Sequence, residues 1–307
     1  MGMNLCKRKN TLRLSLFAAF SILTLSLLGC SLVSIVSAEN KPQKILDTST
    51  PKPKPVAIYF VPHADDELLS MGADIVNHQR MGYDIQMVLA SPGEHSGARF
   101  VVNGFREMWE GKKKVKHPVF CHWHNTYHSA DELRDPDHYL DTKEFGDARI
   151  REFYEVARRL GIPKENTHTY ELVNGKFTEE GLRAIYDEFI ARYPHAIFRT
   201  MSPYDHHPDH AMMGKVLMKY EKEGKIDPTD TAYFLSIYKT RFTKFGKLPV
   251  ELLKVGPMGK EETKRLQHAA EVYSLWEPLK GWLALGYHSV PQQFDSYFRD
   301  KSMIMHY

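Results

Sequence analysis

The chain has 307 residues, of which 42% are hydrophobic and 26% are charged, and its formal net charge is +3. This apolar content is ample for a packed core, which excludes a chain that is disordered throughout. A net charge this small, without a concentrated basic face, gives no indication of a nucleic-acid partner.

Residues 1–38 predict an export leader. A positively charged flank from Lys7 to Arg13 precedes the uncharged apolar segment 14–28, which is the order found in secretory signals. Because such a flank stays on the cytoplasmic side, the rest of the chain is expected outside the cytoplasm.

Three fates of this leader are open. The sequence Leu27-Leu28-Gly29-Cys30 resembles the lipobox of bacterial lipoproteins, with Cys30 as the lipidated residue, and this membrane-anchored form is favoured. Val36-Ser37-Ala38 suits ordinary signal peptidase, which would release a secreted protein. The apolar stretch, of about 25 residues, is also long enough to span a bilayer uncleaved.

Residues 39–55 are rich in proline and lysine and predict an extended tether between the leader and the folded part. Beyond the leader the chain has one cysteine, Cys121, so no intrachain disulfide framework can form there. We expect Cys121 to be a small, partly buried side chain, because no catalytic cysteine motif surrounds it.

From residue 56 onward, β-type runs alternate with helical ones. Strands are predicted at 56–61, 84–90, 167–172 and 196–201, and helices at 67–80, 149–160, 179–192 and 208–223. Residues 232–240 are rich in β-type residues, and 260–276 predict a helix. This order predicts an α/β domain over 56–307, with a Rossmann-like, doubly wound, mainly parallel sheet and helices on both faces.

Two polar clusters follow two of these predicted strands directly. Pro62-His63-Ala64-Asp65-Asp66-Glu67 comes after the first strand, and His207-Pro208-Asp209-His210 follows the strand at 196–201. Parallel α/β sheets bind ligands at the carboxyl ends of their strands, so both clusters are candidates for one site.

The residue types suit a metal site with three protein ligands and one position for water. His63 and Asp66 are three residues apart and can face one point, and His210 can supply the third ligand. Asp65 would then lie beside the metal, where a carboxylate can take a proton from water. The alternative is that these are merely polar residues at two helix starts, where the macrodipole favours acidic groups. Two such clusters after two strand ends favour the metal site.

His207 and Asp209 complete this hypothesis. As an imidazolium, His207 can stabilise the oxyanion that forms when water attacks a carbonyl group. Asp209 can orient or charge-stabilise that histidine.

The paired clusters resemble the signature of the PIG-L/LmbE-like zinc-dependent N-acetylglucosaminyl deacetylases. The likeness extends to Gly93-Glu94 and to 149–152, and so covers roughly 56–223. The resemblance implies zinc as the cofactor and Asp65 as the general base. Iron(II) is an alternative metal, because it can occupy similar ligands. The resemblance also implies His207 as electrophilic stabiliser or acid, and Arg149 as a substrate-binding residue. The implied zinc ligands are His63, Asp66 and His210.

Two departures limit the resemblance. Asp205 occupies the place where some relatives have a tyrosine, two residues before His207. The chain also has a long insertion, at about 95–145, in the region that shapes substrate choice. Within it, His122 and His124 can face one side of a strand and bind a second metal, with His128 close by, although such residues are more often surface or packing groups.

The sequence therefore predicts an exported zinc amidohydrolase that removes acetate from an N-acetylglucosamine-type sugar or glycan. A zinc amidase for another acyl group, or a non-catalytic glycan-binding surface lipoprotein, are the alternatives. The intact Asp65 favours an enzyme, because a pure binding protein does not need that carboxylate. The sequence does not indicate an oligomeric state.

Overall fold

The structure, a computed structural model, describes residues 53–129, 132 and 139–307. The chain divides into units of residues 1–50 and 51–307, and the described residues belong to the second. The predicted leader at 1–38 and nearly all of the predicted tether at 39–55 lie outside the described residues, so both stay predictions. Within the described residues no helix is both long and apolar enough to cross a bilayer.

The described residues form eleven strands and ten α-helices. The strands are β1 (Val56–Val61), β2 (Asp84–Leu89), β3 (Phe105–Glu110), β4 (Lys113–Pro118), β5 (Thr167–Thr169), β6 (Ile197–Met201), β7 (Thr231–Leu235), β8 (Leu253–Val255), β9 (Trp276–Glu277), β10 (Trp282–Leu283) and β11 (Met303–His306). The helices are α1 (Asp66–Leu69), α2 (Gly72–Arg80), α3 (Ala98–Asn103), α4 (Thr142–Leu160), α5 (Glu179–Arg192), α6 (Pro208–Lys222), α7 (Ile237–Arg241), α8 (Lys260–Ala270), α9 (Leu285–Ser289) and α10 (Pro291–Arg299).

The main sheet has the strand order β5-β2-β1-β6-β7-β11-β8. The first five strands pair in parallel, whereas β11 pairs antiparallel with both β7 and β8. The mainly parallel, doubly wound α/β fold predicted from the sequence is confirmed. Its two antiparallel strands, β8 and β11, were not foreseen.

Strand β1 is buried on both faces, which explains its unbroken apolar sequence. Ala57, Tyr59 and Val61 point into one hydrophobic cluster, and Ile58 and Phe60 into the cluster on the opposite face. Such two-sided burial is characteristic of strands in parallel sheets covered by helices on both faces.

Several predicted helices appear with small changes of boundary. Helix α6 begins at the predicted Pro208, with His207 as its N-cap residue, and α5 spans the predicted residues. Helix α4 begins at Thr142 instead of residue 149, because Asp141 and Glu144 form a capping box there.

Several predictions of secondary structure were wrong in part. The helix predicted at 67–80 is broken between α1 and α2, where Gly72 lies so close to Tyr297 that a Cβ would stand 3.0 Å from the phenolic oxygen. The β-rich segment 232–240 becomes strand β7 followed by helix α7, because the Ser236 side chain accepts from the Lys239 N–H and caps a new helix. Helix α8 ends at Ala270, short of the predicted residue 276.

Gly214 determines how closely α6 approaches the end of β6. A Cβ at this position would lie 2.4 Å from the backbone nitrogen of Pro203 and 2.5 Å from the carbonyl oxygen of Met201. These are backbone atoms that cannot rotate away, so an added methyl group must displace the helix.

We predict that Gly214→Ala lowers the free energy of unfolding by about 2 kcal/mol or more, as overpacking of a rigid contact does. Gly246→Ala is the matched control, because a Cβ there meets nothing within 4 Å, and its effect should stay within about 0.5 kcal/mol. Urea unfolding of both variants measures the difference. Equal stabilities would contradict the close approach of α6 to β6 at Gly214.

Candidate active site

The site lies where the sheet changes winding direction. β1 and β6 are neighbouring parallel strands, with β2 and β5 beyond one and β7 beyond the other. Their carboxyl ends therefore open into the crevice where such sheets bind ligands. The cluster 62–67 follows β1 and the cluster 207–210 follows β6, so the structure brings both together as expected.

Three histidine rings face one another in this crevice. The ring centroids of His63 and His207 are 4.9 Å apart, those of His63 and His210 5.5 Å, and those of His207 and His210 4.7 Å. Asp66 joins the group: its Oδ2 lies 3.5 Å from His63 Nδ1 and 3.1 Å from His210 Nε2. A metal ion held by His63, Asp66 and His210 needs this convergence.

Asp209 fixes the ring of His63. Its Oδ2 lies 3.0 Å from His63 Nε2, and the same carboxylate accepts the backbone N–H groups of Gly175 at 2.6 Å and Phe177 at 3.2 Å. Burial raises the pKa of Asp209, but the hydrogen bonds from His63 and these amides outweigh it, and the pKa is lowered. An ionised Asp209 holds the proton on His63 Nε2, which leaves the Nδ1 lone pair directed toward Asp66.

Asp205 faces His210 from the other side of the ring. Its Oδ1 lies 3.4 Å from His210 Nδ1, an ion-pair contact without a hydrogen bond, and its carboxylate accepts the backbone N–H groups of His207 at 3.1 Å and Ser236 at 2.8 Å. The sequence indicated Asp205 only as the residue that replaces a tyrosine. Its charge beside Nδ1 favours the ring orientation in which Nε2 faces Asp66.

The electrostatics of this group favour a bound cation. Burial opposes ionisation of Asp66, but the charge of His210 and its hydrogen bond bring the pKa of Asp66 far below its usual range. Burial likewise opposes protonation of His210, yet Asp66 and Asp205 raise its pKa to about 10. A positive charge beside these two carboxylates is thus strongly favoured, and a divalent cation would supply it in place of the proton.

The donor set fits zinc. Two imidazole nitrogens and one carboxylate oxygen converge, and a second carboxylate orients each imidazole from the far side, as in catalytic zinc sites that keep a position for water. His63, Asp66 and His210 would hold the ion, and His207 lies beside them.

Asp65 has an unusual backbone conformation, with φ of 134°. A non-glycine residue with positive φ is strained, at a cost of order 1–3 kcal/mol, and such residues cluster at functional sites. Arg149 holds it in place: Nη2 donates to Asp65 Oδ2 at 3.1 Å and to the carbonyl oxygen of Ala64. Gly93 allows the approach, since a Cβ there would lie 3.2 Å from the guanidinium carbon.

Burial raises the pKa of Asp65 to about 6, although the positive charge of Arg149 opposes the rise. A carboxylate with a pKa nearer neutrality is a better proton acceptor than an ordinary exposed one. Arg149 is 3% exposed and is therefore not the solvent-facing helix charge that its position on α4 also permitted.

Glu67 and Tyr273 hold the backbone of Asp65 in place through hydrogen bonds. The sequence alone indicated a role for neither residue. The backbone N–H of Asp65 donates to Glu67 Oε2 at 2.9 Å, and the Tyr273 hydroxyl donates to Glu67 Oε1 at 2.6 Å. The signal for Glu67 was its place within the first cluster. Tyr273 lies far along the chain, and nothing in the local sequence indicated the contact.

His207 differs from the expected imidazolium. Burial, together with the neighbouring His210 and His63, lowers its pKa to about 4, so the neutral ring predominates near pH 7. Its Nδ1 accepts the backbone N–H of Asp209 at 3.3 Å, which places the ring proton on Nε2. The carboxylate of Asp209 contacts His63 and not the His207 ring, in contrast to the role expected for it.

Several of these groups, including Asp65 and the three histidines, line a cavity of about 500 Å³, within the usual size of small-molecule sites. Its walls also come from segments outside the two clusters. Ser96 belongs to the insertion that was expected to shape substrate choice, Tyr238 lies on α7, and Ser289, Val290 and Gln293 lie near the C-terminal end.

Comparison with known families agrees with this geometry. The model of the PIG-L family, described as GlcNAc-PI de-N-acetylase, matches residues 58–221, more than half of the chain and inclusive of both clusters. The chain belongs to the PIG-L family. Among curated protein sequences, none matches this PIG-L protein significantly.

Solved structures show the same fold. The A40926 pseudoaglycone deacetylase Dbv21 is 14% identical to this PIG-L protein, with a TM-score of 0.52 over 83% of this chain and 97% of that one. A triple mutant of the deacetylase Orf2 from the teicoplanin biosynthetic pathway is 12% identical, with a TM-score of 0.50 over 82% and 97%. At these identities the likeness shows the fold alone.

We predict that Tyr273→Phe lowers the free energy of unfolding by about 1–3 kcal/mol, because it leaves a buried oxygen of Glu67 without its donor. Tyr297→Phe is the matched control: Tyr297 is also fully buried, but within the described residues its hydroxyl has no hydrogen-bond partner. Its removal should be neutral or stabilising. Equal losses in urea unfolding would contradict the role of Tyr273.

Proposed function

We propose that this PIG-L protein is a zinc-dependent de-N-acetylase that removes acetate from an N-acetylglucosamine-type amino sugar. One observation carries the proposal: a strained, buried carboxylate, Asp65, stands in the same cavity as the zinc-type donor set of His63, Asp66 and His210. Neither a packing role nor simple glycan binding requires a proton acceptor beside a metal site.

A bound zinc ion would supply Lewis acidity, which makes water more acidic and polarises the acetamide carbonyl. Asp65 accepts a proton from the water that adds to this carbonyl carbon. His207 donates its Nε2–H to the carbonyl oxygen as negative charge develops there. Asp65 then passes its proton to the departing nitrogen, the C–N bond breaks, and acetate and a free amine are released.

Arg149 supports this chemistry by holding Asp65 in its strained conformation. Because Arg149 also lines the cavity, its predicted contact with substrate stays part of the proposal. The half-exposed ring of Tyr238 offers a flat surface at the cavity, of the kind that the apolar face of a sugar ring packs against.

The family description, GlcNAc-PI de-N-acetylase, supports an N-acetylated amino sugar as the substrate class. A panel of glucosamine derivatives tests it: N-acetyl, N-propionyl and longer N-acyl forms, with N-acetylglucosamine oligomers, followed by release of the free amine. We expect the acetyl derivatives to be cleaved fastest. Preference for a longer acyl group would favour the alternative amidase, and binding without any hydrolysis by zinc-loaded protein would favour a glycan-binding role.

We predict that Asp65→Asn retains zinc but loses turnover by about 10²–10⁴-fold, because the general base is removed and the ligands are not. His210→Ala should lose the active-site zinc and activity together. Asp147→Asn, which alters an exposed carboxylate on α4, is the control and should behave as the parent. Zinc content by mass spectrometry, with kcat from amine release, separates the variants. Parental turnover in Asp65→Asn would refute its role as base.

We also propose that the enzyme acts outside the cytoplasm, anchored in the cell membrane through Cys30 or secreted. The support is the sequence of the leader at 1–38. If Cys30 is lipidated, Cys30→Ser abolishes labelling by a radioactive fatty acid and leaves the protein unprocessed. A chain that fractionates with the cytoplasm and keeps its leader would contradict the proposal.

A further inference from the structure

A second group of metal-type side chains lies outside the active site, between the insertion and the C-terminal part of the chain. One donor atom from each lies within 4.8 Å of all the others. We call this group the second cluster; it consists of Cys121, His124, His128 and His288.

A tight turn brings the first three members of the second cluster together. Cys121 and Thr126 form an isolated antiparallel bridge, and Asn125 between them has a positive φ of 55°. His124 thus turns back toward Cys121, and its backbone N–H donates to the Cys121 sulfur at 3.4 Å. His122, which the sequence paired with His124 on a strand, is exposed and takes no part.

The protons on two of the rings can be assigned from their partners. His288 Nδ1 lies 2.8 Å from the carbonyl oxygen of Leu283 and 3.0 Å from that of Ala284, and carbonyl oxygens only accept. His128 Nδ1 lies 2.8 Å from a carboxylate oxygen of Glu132. Both Nδ1 atoms therefore carry protons, so in the neutral rings both Nε2 atoms present lone pairs.

Those lone pairs point at each other. His288 Nε2 and His128 Nε2 are 3.2 Å apart, and His124 Nδ1 lies 3.1 Å from the same His128 atom. Lone pairs that face one another in a buried space repel, unless a cation lies between them.

The spacing matches tetrahedral zinc. With Zn–N bonds of about 2.0–2.1 Å, neighbouring ligand nitrogens are about 3.3 Å apart, close to the separations in the second cluster. The N–H donated to Cys121 and the acceptors behind His128 and His288 are the outer partners that orient zinc ligands. One thiolate together with Glu132 also balances the charge of a divalent ion.

We propose that the second cluster binds a structural zinc ion. Four protein donors fill a tetrahedral shell and leave no position for water, so this ion would hold the fold and would not react. Three of the four donor residues, Cys121, His128 and His288, are buried. This burial closes the site to substrate.

The structural zinc would position one wall of the active site. His288 is followed directly by Ser289 and Val290, which line the cavity, and Ser289 Oγ lies 3.1 Å from Ser96 Oγ of the insertion. Loss of the zinc would therefore loosen the wall and raise KM more than it lowers kcat. This kinetic readout rests on the proposed function, whereas zinc binding itself does not.

Zinc content of the purified full chain tests the proposal. We expect about two zinc ions per chain in the parent and about one in Cys121→Ala and in His288→Ala. His122→Ala, an exposed neighbour, is the matched control and should keep about two. Unchanged zinc content in both cluster variants would overturn the proposal. His63→Ala alters the active site alone. An unexpected zinc content or activity in this variant would therefore bear on the proposed function and not on the second cluster.

Cobalt substitution identifies the ligands. The cobalt-loaded parent and His63→Ala should both show the charge-transfer absorption of a thiolate bound to cobalt, and Cys121→Ala should lack it. The same absorption in Cys121→Ala would overturn the proposal, since the thiolate would then come from elsewhere.

If the cluster variants fail to fold, a measurement on the parent chain still tests the proposal. Alkylation at Cys121, located by peptide mass spectrometry, should be slow in the native zinc-loaded chain and at least about tenfold faster once a chelator has removed all zinc. An alkylation rate that does not change on complete removal of zinc would contradict the proposal.

Discussion

The parallel pairing of β1 with β6 is the constraint on which the site depends. It sets two segments that are about 140 residues apart in sequence side by side at one edge of the sheet, each immediately after a strand ends. Winding in opposite directions from this point leaves the crevice open. A shift of register between the two strands would separate His63 from His210 and end any shared coordination.

The buried charged groups near the site are each balanced by a neighbouring group that can carry the opposite charge. Asp66 and Asp205 face His210, Asp209 faces His63, and Asp65 faces Arg149. Removing one partner of such a group would leave an uncompensated buried charge, which is far more costly than the loss of the whole group. The strained backbone of Asp65 persists because Arg149 and Glu67 hold it from two sides.

The fold and the identity of the clustered residues could be predicted from sequence because both are local signals. Unbroken apolar runs indicated buried parallel strands, and polar motifs at their ends indicated ligands. What could not be predicted depends on contacts between distant segments: Tyr273 beneath Glu67, and His288 beside His128. Neither residue lies in a sequence motif, so only the three-dimensional structure shows its role.

Strand β11 is the last strand in sequence, yet it lies inside the sheet, between β7 and β8. The Nε2 atom of its residue His306 also accepts a hydrogen bond, at 2.8 Å, from the hydroxyl of Ser202 just beyond β6. During synthesis the facing edges of β7 and β8 therefore stay unpaired until β11 has been made, and unpaired strand edges are sites of aggregation. The order in which these strands are synthesised therefore differs from their order across the sheet.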